Sequence, residues 1–106
     1  MGRWRELAVW VVWETWLRSG TEAEGLALTQ RIWSDMVGFP GYLAHEVLQD
    51  DDQNGHLLVV SRWESRQAAD ATKELYAGSP TVLRLAPLLA EERSRWVMAL
   101  RDAYFK

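Results

Sequence analysis

The stretch Leu7-Ala8-Val9-Trp10-Val11-Val12-Trp13-Glu14-Thr15-Trp16-Leu17 decides how this chain folds. Val and Trp at such density favour a strand, where branched and aromatic side chains pack on a pleated surface. Alternate residues of a strand face opposite ways. One face then carries Leu7, Val9, Val11, Trp13 and Thr15; the other carries Ala8, Trp10, Val12, Glu14 and Trp16. Both are apolar for most of their length. An antiparallel sheet with helices on one side ordinarily keeps its other side polar, so this strand needs cover on both. The run is too short to cross a membrane, and Glu14 interrupts it. The bulky Trp16, Leu17 and Arg18 behind it lack the small residues of a leader-peptide cleavage site.

Downstream, Arg18-Ser19-Gly20 is a turn, and Thr21 with Glu24 has the form of a capping box, strengthened by Glu22 in the first turn. A helix is expected from there to about Val37, with Leu28, Ile32 and Met36 one turn apart and Ala23, Leu26 and Trp33 beside them. Gly38 stops it, and Phe39-Pro40-Gly41 leads into a second strand, Tyr42 to Gln49. A polar segment ending in Asn54-Gly55 makes the hairpin into a third strand, His56 to Trp63. Ser65 caps a second helix, Arg66 to about Ala77, with Leu75 on its inner side and Gly78 at its end. Ser79-Pro80 opens a short third helix, which Pro87 breaks. A last strand is expected over about Arg95 to Asp102, with Trp96, Met98 and Leu100 on one face. The order β-α-β-β-α-α-β, without repeat or linker, gives one α+β domain over residues 1–106 with helices on one face of an antiparallel sheet. A second copy, related by a two-fold axis, is then expected on the other face.

Bulk composition agrees with one domain: 106 residues, 48% hydrophobic and 25% charged, enough to bury roughly two-thirds of the unfolded surface. A net charge of −3 without any basic run argues against a nucleic-acid partner. With no cysteine, disulfides, thiolate metal sites and thiol nucleophiles are excluded, which fits a cytoplasmic protein. Seven tryptophans are many for this length. Each buries on the order of 200 Å², so they either fill the core or line a cavity and a second apolar surface.

Gly38-Phe39-Pro40-Gly41-Tyr42-Leu43 and Leu58-Val59-Val60-Ser61-Arg62-Trp63-Glu64-Ser65, followed by Gln67-Ala68-Ala69 and Ser79-Pro80, make the stretch from Gly20 to Pro80 resemble the antibiotic biosynthesis monooxygenase family. That resemblance implies a ferredoxin-like fold paired into a dimeric α+β barrel, with ligand held between sheet and helices. One branch of the family oxidises phenolic polycyclic compounds to quinones without metal or organic cofactor. Trp63 matches that branch; Val59 stands where it has Asn and Ala69 where it has Tyr, while Arg84 is placed to offer a helix-borne guanidinium. A haem-degrading branch uses an Asn, a Trp and a His at places held here by Trp13, Thr72 and Val82, so haem is not expected. By the same counting Trp13 and Trp63, with Val59 and Trp33, are the expected lining of the cleft. The two indoles either bound an open site for a flat apolar ligand or fill it.

Other chemistry-bearing side chains are few. His45, mid-strand on the face of Leu43 and Val47, is a candidate base or a structural histidine. Glu14 is a candidate general base if buried, or a partner for Arg62 or Arg18. His56 is expected in solvent, and Asp50-Asp51-Asp52 reads as a hairpin tip, since the spacing lacks the ligands of a calcium loop. Phosphate loops, serine elbows and zinc-hydrolase motifs are missing from the sequence. Two functions follow: a cofactor-independent monooxygenase of aromatic or polyketide-like molecules, with Arg84, His45 or Glu14 supplying polarity, or a non-catalytic dimeric module that binds a hydrophobic small molecule or a protein.

Overall fold

The computed structural model describes residues 8–106, so Leu7 of the first strand and Trp4 lie outside the described residues. The elements are β1 (Val9–Trp16), α1 (Glu22–Met36), β2 (Tyr42–Gln49), β3 (His56–Trp63), α2 (Arg66–Tyr76), α3 (Pro80–Leu85), one 3₁₀ turn (Ala86–Leu88) and β4 (Ser94–Met98). All neighbouring strands run antiparallel in the order β2-β3-β1-β4. This is the ferredoxin-like α+β arrangement, and β1, the most apolar strand, lies inside the sheet, flanked by β3 and β4.

Register decides what each face carries. Trp13 stands opposite Val59 of β3 and Arg95 of β4, and Val11 opposite Ser61 and Val97. These residues point toward the helices. Val11, Leu57, Val59 and Trp63 there meet Leu28, Ile32, Trp33 and Met36 of α1, Ala69 and Tyr76 of α2, and Leu85 of α3 in one buried core. The opposite face carries Trp10, Val12, Leu58, Val60, Trp96 and Met98, with no element of this chain over it among the described residues. The molecule is accordingly thin, 46 × 34 × 19 Å. No helix among the described residues is long and apolar enough to cross a membrane.

Several local expectations are corrected. The capping box does not form: Thr21 donates its hydroxyl to the Arg18 carbonyl at 2.7 Å, and Glu22 Oε1 accepts the Gly20 N–H at 2.9 Å. The turn before α1 uses these side chains first. Ser65 and Ser79 do cap α2 and α3, accepting the N–H of Ala68 and Val82. Leu75 is 75% exposed, and Tyr76 takes the inner side of α2; the helix is rotated by one residue from the expected face. The register of β2 shifts between Tyr42 and Ala44. His45 therefore shares its face with Val47 and not with Leu43, which is exposed. β4 stops at Met98, and residues 99–106 run on without regular structure and exposed.

Gly41 has a fixed place. Its φ is +84°, and a Cβ added there would lie 2.5 Å from the Ala68 Cβ. Its carbonyl also accepts the Glu64 N–H at 2.8 Å. The turn into β2 is thereby locked against the start of α2.

Candidate functional site

Between the inner sheet face and helices α1 and α2 lies a cavity of about 150 Å³. Trp13, Trp33 and Trp63 form its aromatic walls, from β1, α1 and the end of β3. Val11, Ile32, Met36 and Val82 add aliphatic surface. An apolar cavity of ~150 Å³ takes up a benzene-sized molecule, so this one has room for an aromatic ring with small substituents. Lys73 and Ala77, both exposed, mark its rim.

Hydrogen bonds fix the walls. The Trp63 indole N–H donates to Ser61 Oγ at 3.1 Å, and that hydroxyl donates to the Val11 carbonyl at 3.0 Å. The Trp63 donor is thus used inside the protein, and its ring offers a ligand shape and π surface. The Tyr42 ring stands edge-on to Trp63, with centroids 5.7 Å apart. Tyr76 donates its hydroxyl to Asp35 Oδ2 at 2.6 Å. Burial, then that bond, raises the Tyr76 pKa and keeps the phenol protonated.

One side of the cavity is cationic. Arg95 of β4 lies with its Cζ 5.7 Å from the Trp13 ring centroid, and its Nη2 donates to Asp70 Oδ1 at 2.9 Å. This bond, more than any other influence, holds the Asp70 carboxyl below its ordinary range. Arg93, just before β4, sits closer still, with Cζ 4.7 Å from the same centroid. Burial pulls its pKa down.

The residues expected from sequence divide. Trp13, Trp33 and Trp63 line the cavity together; Val59 is buried in the core beside Trp13 without lining it. His45 is on the cavity side of the sheet but behind the aromatic wall: its Nδ1 is 2.7 Å from the Tyr42 hydroxyl and its ring 5.7 Å from that of Trp33. Burial lowers its pKa, so the ring is neutral at pH 7. Arg84 is exposed on α3 and outside the cavity. Glu14 lies on the opposite face of the sheet. There its Oε2 is 2.7 Å from His56 Nε2, while Asp50 Oδ2 is 2.8 Å from His56 Nδ1, so Glu14 pairs with neither Arg62 nor Arg18. His56 is half-buried and stacked on Trp16 at 3.8 Å, not solvated.

Ser61, Tyr76, Arg93 and Arg95 escaped the sequence reading. Ser61 had a signal: a hydroxyl two residues before Trp63 on the same strand face. Among the described residues no cluster of three or more metal-ligating side chains occurs.

Comparison with known proteins bears on this architecture. Similar solved structures include a mutant of SnoaB, a cofactor-independent oxygenase from Streptomyces nogalater (TM-score 0.79, 18% identity, covering 91% of this chain and 95% of that one). A conserved protein from Methanosarcina mazei superposes with TM-score 0.78 at 15% identity, covering 95% of this chain and 100% of its own. Rv0793 from Mycobacterium tuberculosis gives 0.73 at 23%, covering 91% and 97%. At these identities the likeness establishes the fold. No curated protein matches the chain in sequence. The family model for antibiotic biosynthesis monooxygenase, however, matches residues 8–75, from the start of β1 almost to the end of α2. On that match, and on the sheet and helix order it spans, the chain belongs to the antibiotic biosynthesis monooxygenase family.

Proposed function

We propose that the protein is a cofactor-independent monooxygenase of an aromatic small molecule, held in the cavity and turned over by a homodimer. The observation that carries this reading is the open space between Trp13, Trp33 and Trp63, in a chain of this family. Indoles on three sides suit a flat ring, and apolar walls keep water from the reacting carbon. The reaction would convert the ring carbon para to a phenol hydroxyl, a CH₂ in the keto tautomer, to a carbonyl. A proton leaves that carbon, the carbanion gives an electron to O₂, and the two radicals join as a peroxide anion that takes the proton back to become a hydroperoxide. Loss of water then yields the quinone, so CH₂ and O₂ become C=O and H₂O. Electron density for the step comes from the substrate itself.

In this reading Trp13, Trp33 and Trp63 orient the ring, and Val59 backs Trp13 from within the core. His45 is a positioning residue, steadying Tyr42 and Trp33 without touching the ligand. Glu14 and Arg84 take no part, because neither faces the cavity.

A second reading is favoured by a specific observation. The Trp63 N–H and the Tyr76 hydroxyl are both satisfied internally, as suits a module that binds an apolar ligand without transforming it. Oxygen uptake separates the two. Purified protein is incubated with phenols graded in size from one ring to the tricyclic anthrone, and uptake is followed with an oxygen electrode. Catalysed uptake is expected, reduced on the order of ten-fold or more in Trp63→Phe, which loosens the ring's seat. Uptake no faster than buffer across the series leaves only the binding module.

A further inference from the structure

Three cationic side chains line the cavity, Lys73, Arg93 and Arg95, and among the described residues one carboxylate touches them: Asp70, through Arg95. Arg93 makes no side-chain hydrogen bond and no ion pair among the described residues. Arg93 is half-buried, and a guanidinium partly drawn out of water without a protein partner loses hydration that nothing replaces. The face of the Trp13 ring, 4.7 Å from Cζ to centroid, offsets part of that cost. The N–H donors of the guanidinium lie in its plane, and no side chain among the described residues accepts from them. Arg95 repeats the pattern. Its Nη2 is taken by Asp70, yet its Nε is the one buried side-chain nitrogen or oxygen without a partner among the described residues.

We infer that Arg93 and Arg95 form a carboxylate site at the edge of the cavity, which selects an aromatic ligand bearing a carboxylate. The planar fork of a guanidinium matches the two oxygens of that group. Both arginines rest on the Trp13 ring, so the anion is held at the end of the same wall that stacks the ligand's ring. A cationic ligand is repelled by this edge, and a neutral one leaves its donors unsatisfied. The inference rests on the cavity being a ligand site, and does not require that the ligand be oxidised.

Calorimetric titration with 4-ethylbenzoate and its neutral isostere 4-ethylbenzamide tests it, at pH 7.5 and low salt. The carboxylate is expected to bind about ten-fold tighter or more. Arg93→Gln should erase that preference while leaving benzamide affinity nearly unchanged, and Arg93→Lys should restore part of it. Equal affinities in the wild type would overturn the inference, as would an Arg93→Gln protein that loses both ligands equally, the mark of a packing role. Failure of both ligands to bind at millimolar concentration overturns it too. The wild-type comparison stands even if a variant does not fold. A clear carboxylate preference without oxygen uptake would sink the oxygenase reading and keep the site.

Discussion

Gly41 shows how a single residue ties sequence to site. A left-handed backbone costs an L-residue about 1–2 kcal/mol, and here a Cβ would also strike Ala68, 2.5 Å away. Gly41→Ala should therefore cost more than about 2 kcal/mol, measured by urea unfolding. Ala68→Gly added to it should return only the part due to the clash. A Gly41→Ala protein as stable as the wild type would refute the turn's geometry. Pro40-Gly41 made the turn legible in the sequence. Ala68 was not, because the contact joins positions distant along the chain. The aromatic walls were legible for a related reason: strand alternation places Trp13 and Trp63 on the face of Val11 and Val59. Arg93 was hidden, since it precedes the strand whose alternation would have oriented it, and a charged residue in a connection ordinarily reads as solvated.

Among the elements, the hairpin end of the sheet is joined by one imidazole. His56 opens β3, Glu14 belongs to β1, and Asp50 follows β2; the ring bonds to both carboxylates and stacks on Trp16. The bond to Asp50, opposed by desolvation and reinforced by the bond to Glu14, raises the His56 pKa above its ordinary 6.5. Protonated His56 is thus favoured by folding, so its contribution is full below 6.5 and lost as pH rises through the higher folded value. His45 has the opposite sign. Burial lowers its pKa below 6.5, so stability falls as pH drops from 6.5 through the folded value. Asp50, depressed chiefly by its bond to His56, adds a loss only below its ordinary 3.8. The two histidines together place a stability maximum near pH 6.5. Thermal midpoints followed by circular dichroism should show it, with His56→Gln flattening the alkaline limb and His45→Gln the acid limb. An alkaline limb unchanged in His56→Gln would rule out this assignment. Glu14 had been legible as an oddity in an apolar run, but its partner depended on the β1–β3 register, which no local pattern supplies. The bulge in β2 and the early end of β4 are tertiary effects of the same kind.

At the scale of the molecule, the second apolar face of β1 remains the feature that the single chain does not resolve. With Val12, Leu58 and Val60 it forms a continuous surface, and Trp96 and Met98 extend it, 43% and 50% exposed. An apolar patch of this extent marks an interface. Two such faces, each one side of an antiparallel sheet, can cover one another about a two-fold axis without any further partner. The protein should therefore sediment at about twice 12.2 kDa at micromolar concentration. Because Trp96 and Met98 pack little within the chain, Trp96→Glu/Met98→Glu should place two charges in each buried face and halve the mass while keeping the far-ultraviolet spectrum. Such a monomer should also lose thermal stability, since covering the outer side of β1 supports the strand that carries Trp13 on its inner side. A wild-type chain that stays monomeric at these concentrations would leave that face without a cover, and the pairing would have to be abandoned.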